Sequence, residues 1–337
     1  MTDSSRGLAE GRPRGPGQPA MMRAIVVDQP GDAAAMRVRE VGLPSLGPGE
    51  LLVRVLAAGV GPWDVRLRGG GWDGPGPHVP GGEFAGVVVG ETGAGYGFDD
   101  GAPVYGSPGP GGCYAEYVTC QVERLAPIPV GLRLTDAAAA PIDVLAADQG
   151  LTGILSVSAG DRILITAAAG GLGHFAVQIA RAAGAIVVAT ASPRNHEFVH
   201  HLGAAVVVDH TDPAWPDRAR DVLDGGAERV LACAAPSLDG AARAARDGAT
   251  IATPVDAGTA GFPDADRVHW RRYDAQPSGS RLIRMAPRFD DGTLSVQVSA
   301  RYYWQDAADA HRLAERGHTR GKVVLIVDDD LAAALEV

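Results

Sequence analysis

Residues 163–185 read ILITAAAGGLGHFAVQIARAAGA: an apolar strand ending near Ala167, glycines at 170, 171 and 173, then an amphipathic helix. Glycine permits positive φ in a tight turn and lets the backbone come close to a pyrophosphate. The first amides of the following helix lack intrahelical acceptors and favour an anion. Glycines in this setting also occur in an ordinary strand-to-helix turn. The flanking strand and helix, with a second strand at 186–191, point instead to a dinucleotide site cradled by Ala168, Gly170, Gly171, Leu172 and Gly173.

The end of that second strand bears on which dinucleotide. At Thr190–Ser192 there is no Asp or Glu to hold the adenine ribose hydroxyls, as an NAD-selective site would require. Ser192, Arg194 and Asn195 follow, and a guanidinium beside a hydroxyl suits a 2′-phosphate, so NADPH is expected over NADH. The alternative for Arg194 is a solvated residue at a helix start.

Working outward, the chain after the turn alternates strands and helices: a helix at 173–183, a strand at 186–191, a helix at 195–202 and strands near 205–208, 229–234 and 250–253. That grammar predicts a parallel, doubly wound sheet. Before the turn the pattern differs, with short β-rich segments at 23–28, 50–59, 86–90, 102–105 and 114–119 between Pro/Gly turns, and an Ala-rich helix at 135–147. Past Arg281 come a helix, a strand at 295–300, a helix at 305–316 and a strand at 322–327, expected to rejoin the first half. The reading is an α/β chain with a leader at 1–20 expected to be disordered, a β-barrel domain at 21–142 plus 284–337, and a dinucleotide-binding domain at 143–283.

A chain of 337 residues with 46% hydrophobic and 21% charged residues can bury the cores of two domains. Its formal charge of −10 argues against nucleic acid or an anionic membrane as the main partner, so an anionic cofactor must be held locally. Cys113, Cys120 and Cys233 form no CxxC pair and no disulfide framework, which fits a reducing, cytoplasmic setting. The Gly-, Pro- and Arg-rich leader lacks the apolar core of a secretory signal, and no run is long enough to span a membrane. Lys322 is the sole lysine.

Six ordered motifs between residues 22 and 327 carry a resemblance: 57–64 (AAGVGPWD), 80–86 (PGGEFAG), 104–117 (VYGSPGPGGCYAEY), 167–173 (AAAGGLG), 190–195 (TASPRN) and 318–325 (HTRGKVVL). Together they resemble the quinone-oxidoreductase and enoyl-reductase branch of the medium-chain dehydrogenase/reductase superfamily. The resemblance implies a GroES-like β-barrel catalytic domain completed by the C-terminal return, a Rossmann domain inserted in it, a substrate cleft between them, and a homodimer. It also sets Lys322 beside Ser192 and Arg194 around the 2′-phosphate, unless Lys322 is a surface charge at a strand start. Zinc-dependent relatives carry Cys where this chain has Gly61 and a His-Glu pair where it has Gly82-Glu83, so no metal is expected. Hydrogen bonds must then polarise the carbonyl, which favours quinones, enones and α,β-unsaturated carbonyls.

The departures from the family cluster around the expected nicotinamide pocket. Gly61 stands where an Asn is usual; residues 142–151 (IDVLAADQGL) bring Asp143, Ala146 and Asp148 in place of a Thr- and Trp-containing segment; and Ala234-Ala235-Pro236 replaces glycines. Asp64, Asp143 and Asp148 are candidate acids or bases, although for the latter two a helix-end position facing water is the preferred reading. Tyr114 is a candidate proton donor or a core aromatic, His174 a phosphate contact or a solvated helix-start residue, and Trp63 and Trp72 candidate walls of the cleft. The expected activity is NADPH-dependent reduction of a quinone, enone or other conjugated carbonyl, in a tailoring role in secondary metabolism. Its rivals are a cyclase, isomerase or lyase using a cleft carboxylate, and an NADPH-sensing protein without turnover.

Overall fold

The structure is a computed structural model describing residues 19–72, 77–90, 95–328, 330, 331 and 333; nearly all of the expected leader lies outside these. Six strands build the dinucleotide-binding sheet: β1 Arg162–Ile165, β2 Ile186–Ala191, β3 Val206–Asp209, β4 Ala227–Leu231, β5 Ala245–Thr253 and β6 His269–Arg272. They are parallel throughout, in the order β3-β2-β1-β4-β5-β6. Central β1 is buried from Ile163 to Ile165, as a strand covered by helices on both faces must be. Edge strand β6 (HWRR) eluded the sequence reading because its charged residues keep it largely exposed. The order reverses between β1 and β4, and the crevice beyond their carboxyl ends is where such sheets take a ligand.

The second sheet centres on Glu50–Val60, which pairs antiparallel with Phe84–Val88, Tyr117–Gln121 and Lys322–Ile326. Pro103–Gly106 and Leu125–Pro127 extend it on one side, and Val298–Tyr303 adds in parallel to Lys322–Ile326 on the other. The C-terminal return is thus a pair of strands with Leu325 opposite Ala58, as expected.

One core crosses the junction, joining Ala57, Ala85 and Tyr105 of the barrel to Ile163, Phe175 and Leu231 of the Rossmann half. Helices bridge the halves as well. The domain limits read at 142/143 and 283/284 fall inside helices Pro141–Asp148 and Gly279–Asp290. Gly279 is seated directly on the Leu125 carbonyl, with no room for a Cβ. The helix read as one at 135–147 is two, Leu134–Ala137 and Pro141–Asp148, because Pro141 has no N–H to continue a ladder and is suited to a first turn.

Candidate active site

The glycine turn is fastened on two sides. Toward β2, Ala167 N donates to Thr190 Oγ1 at 3.1 Å and Ala168 N to Thr190 O at 2.9 Å. Toward the catalytic domain, Gly321 N donates to Ala169 O at 2.8 Å, so the strand carrying Lys322 begins against the turn. The left-handed residue is Ala167, with φ of 49°, whereas Gly170 is extended at φ −81° and neither Gly171 nor Gly173 has positive φ. The glycines therefore serve close approach and not turn geometry. A Cβ on Gly173 would overlap Ala167 O, and one on Gly171 would overlap Asp143 Oδ2 and stand 2.9 Å from Lys322 Cδ.

Lys322 is thus placed at the junction, not beside Arg194 and not on the surface. It is 4% exposed, and its Nζ lies 2.7 Å from both Glu83 Oε1 and Asp143 Oδ2. The strand register explains this, because Val323 pairs with Val60 and brings the preceding residue over the loops that hold Gly61 and Glu83. Burial alone would lower the ammonium pKa, but the Asp143 and Glu83 charges outweigh it and hold it above the usual lysine value. Glu83, buried and accepting from Ile142 N at 2.8 Å, is pushed by desolvation up to about 7 despite Lys322. Asp64 lies beside them, accepting from Gly61 N at 2.8 Å and Gly82 N at 3.1 Å, and burial raises it to about 6. Two carboxylates therefore share one ammonium, and a third, Asp64, lies within reach of its charge.

Beyond the end of β2 a cleft of about 730 Å³ opens between the halves, lined by Ser192, Arg194 and Asn195 after β2 and by Arg316, His318 and Arg320 from the C-terminal return. Arg194 Nη2 donates to His318 O at 3.0 Å; Arg320 Nε donates to Asn195 Oδ1 at 3.0 Å and its guanidinium stacks over Phe198. The three guanidiniums face no carboxylate among the described residues. A phosphate on the ribose of a dinucleotide fits that set, since planar guanidiniums and hydroxyls are its natural donors. Arg316, His318 and Arg320 were missed from sequence, although 318–325 had been singled out as a motif.

Other expectations change on inspection. Asp148 is neither solvated nor free: it is 5% exposed and ion-paired to Arg281. Asp143 is ion-paired to Lys322 and not a water-facing helix end. Tyr114 is wholly buried, its OH donating to Gly59 O at 3.4 Å and 3.2 Å from His311 Nε2, which makes it a packing residue. His174 is also buried, with Nδ1 on Gly170 O and Nε2 accepting from Gln297 N, so it faces neither water nor a phosphate. Trp63 is largely exposed under Arg66, and Trp72 stacks on His78. Tyr273, whose OH donates to Ala146 O at 2.8 Å, was not anticipated.

Among the described residues no cluster of three His, Cys, Asp or Glu is arranged to hold a metal, and no helix is long and apolar enough to cross a membrane. The alcohol dehydrogenase GroES-like domain model matches residues 47–130, and the zinc-binding dehydrogenase model matches residues 202–325. A solved NAD-dependent alcohol dehydrogenase is 32% identical, with a TM-score of 0.80 over 91% of this chain and 100% of its own. A mycobacterial protein solved with NADPH is 28% identical, with a TM-score of 0.81 over 91% of this chain and 100% of its own. The chloroplastic NADPH-dependent alkenal/one oxidoreductase of Arabidopsis thaliana is 29% identical over 91% of this chain and 80% of that protein. The chain also matches a mycocerosic acid synthase-like polyketide synthase of Mycolicibacterium smegmatis and a spectinabilin polyketide synthase system protein of Streptomyces orinoci, of which it spans only 10% and 13% of the length. The chain belongs to the medium-chain dehydrogenase/reductase superfamily of oxidoreductases.

Proposed function

We propose that the chain is an NADPH-dependent reductase of a quinone, enone or other α,β-unsaturated carbonyl. The observation that carries the reading is the cleft joining Ser192 and Arg194 to Arg316, His318 and Arg320, with no acid at the end of β2 to favour an unphosphorylated ribose. Bound NADPH would supply the hydride. Ala168, Gly170, Gly171, Leu172 and Gly173 form the pyrophosphate turn, and Ser192, Arg194, Asn195, Arg316 and Arg320 hold the 2′-phosphate. Asp64 is the candidate proton-holding group, because its raised pKa keeps part of it protonated near neutral pH. The NADPH-bound mycobacterial structure and the alkenal/one oxidoreductase support the cofactor and substrate class, and the polyketide synthase matches support a secondary-metabolism role.

Of the three carboxylates on which a cyclase, isomerase or lyase reading leaned, Asp143 is ion-paired to Lys322 and Asp148 to Arg281, which leaves Asp64, and product mass separates that reading from reduction. The deciding experiment adds quinones, enones and alkenals to protein with NADPH and follows loss of reduced-nicotinamide absorbance together with product mass. Turnover to a product two hydrogens heavier is expected. Bound NADPH with no oxidation across the panel, or a product of unchanged mass, would overturn the reading. A homodimer is expected on the same family grounds, and sedimentation equilibrium checks it.

A further inference from the structure

The Gly171 edge of the turn is not open. Asp143 Oδ2 and Lys322 Cδ stand where a Cβ would be, so a carboxylate and the stem of its ammonium press against the first residue of helix Gly171–Ala182. The Lys322 charge is not reserved for Asp143, because Glu83 lies at the same 2.7 Å distance. Asp64 is close too: the Cβ position of Gly61 is 3.8 Å from Asp64 Oδ2 and 3.9 Å from Lys322 Nζ.

The other groups around Asp143 supply no second cation. His174, on the glycine-turn helix, is held neutral by burial, and its Nε2 accepts from Gln297 N. Cys233, after β4, and Tyr273, after β6, are thiol and phenol, with burial keeping both protonated. Asp148, on the same helix as Asp143, is matched by Arg281. The cluster of Asp64, Glu83, Asp143 and Lys322 thus carries up to two more negative than positive charges, at the turn where a pyrophosphate is to be received.

We infer that Asp143 is an affinity-determining residue for the dinucleotide: its carboxylate opposes the pyrophosphate, and binding is accompanied by uptake of a proton into the Asp64–Glu83–Asp143–Lys322 cluster. The inference rests on the NADPH reading above. Binding at this turn is weaker at alkaline pH, when Asp64 and Glu83 have lost their protons, and stronger as they take protons up. Removing the Asp143 charge both tightens binding and reduces its pH dependence. A residue that merely braced the turn would do the opposite on removal, loosening binding at every pH.

The test measures NADPH affinity by calorimetry from pH 6.5 to 8.5 in buffers of different ionisation enthalpy, for the natural chain and for Asp143→Asn. Adenosine 2′-monophosphate, which brings the 2′-phosphate to the arginine cleft but no phosphate to the glycine turn, serves as the reference ligand and corrects for titration of the 2′-phosphate. Expected are proton uptake on NADPH binding and an affinity that falls as pH rises. Asp143→Asn should bind NADPH about tenfold more tightly at pH 8 with a flatter profile, the size of effect one partly solvated charge exerts at close range. The monophosphate affinity should be the same in both proteins. NADPH affinity that matches the monophosphate in its pH profile, or that weakens in Asp143→Asn, overturns the inference alone. Failure of both ligands to bind overturns the NADPH reading with it. Melting temperature with the monophosphate bound confirms that the variant is folded.

Discussion

Gly173 closes on Ala167: the place of a Gly173 Cβ is taken by the Ala167 carbonyl oxygen, and Ala168 Cα would lie 2.7 Å from it. Ala167 meanwhile holds the left-handed conformation that the turn needs. Gly173→Val should therefore force the turn apart, destabilising the fold by about 1–3 kcal/mol, the usual range for overpacking, and weakening NADPH binding at least about tenfold. Gly170→Ala provides the contrast, because its nearest neighbour is Ala167 O at 3.3 Å. Urea titration and direct binding should show a much smaller loss there, and equal losses in the two variants would refute this account of the turn.

The arginine cleft yields a prediction about cofactor choice. Arg320 is oriented by Asn195 and stacked on Phe198, so its guanidinium is pre-organised before any phosphate arrives. Arg320→Ala should weaken NADPH by about tenfold to a hundredfold, in the range of a charge-assisted pair, and leave NADH nearly unchanged. Comparing the two affinities in the same variant separates loss of phosphate recognition from general damage, which would lower both.

The turn itself was legible because strand, glycines and helix are contiguous, and its function can be argued from local geometry. The parallel sheet was legible from periodicity and spacing, whereas the C-terminal return was implied chiefly by the family resemblance. What sequence order hides is the meeting of distant residues. Glu83, Asp143 and Lys322 converge only because the last strand pairs with Glu50–Val60 while helix Pro141–Asp148 lies beside the turn. Nothing in the string RGKVVL distinguishes a buried ammonium from a solvated one. His174 was misread for a related reason: one face of helix Gly171–Ala182 is covered by the returning chain, and Gln297 reaches its ring. The clue that was available was compositional, since a chain with a single lysine had placed it inside a family motif.

The shared ammonium implies a severe cost for its removal. Lys322→Met would leave Asp143 and Glu83 facing each other without a counter-charge in a site where Glu83 is 2% exposed. Breaking a buried pair from one side typically costs about 3–5 kcal/mol, and that loss is expected in chemical denaturation. Adding Glu83→Gln and Asp143→Asn to Lys322→Met should recover much of it. A triple variant as unstable as the single one would mean that Lys322 acts through its stem packing and not its charge.

His174 sets a pH limit on stability whose sign can be worked out. Its Nε2 accepts from Gln297 N at 3.3 Å, so Nδ1 carries the hydrogen and donates to Gly170 O at 3.0 Å, leaving the folded ring neutral. Burial lowers its pKa to about 4, while the unfolded chain takes up the proton near the ordinary value of 6.5. Between those values the unfolded state binds more protons, so this stabilisation is complete above about pH 6.5 and lost as pH falls toward 4. The full span corresponds to about 3 kcal/mol. His174→Gln keeps a donor and an acceptor but cannot titrate, and His311, also buried and neutral, is unchanged in both proteins. Urea unfolding at pH 7 and pH 4.5 should show the natural chain losing about 2–3 kcal/mol more than the variant. Equal losses would mean that the ring is already charged in the fold, or that the segment around Gln297 releases it before the acid limb begins.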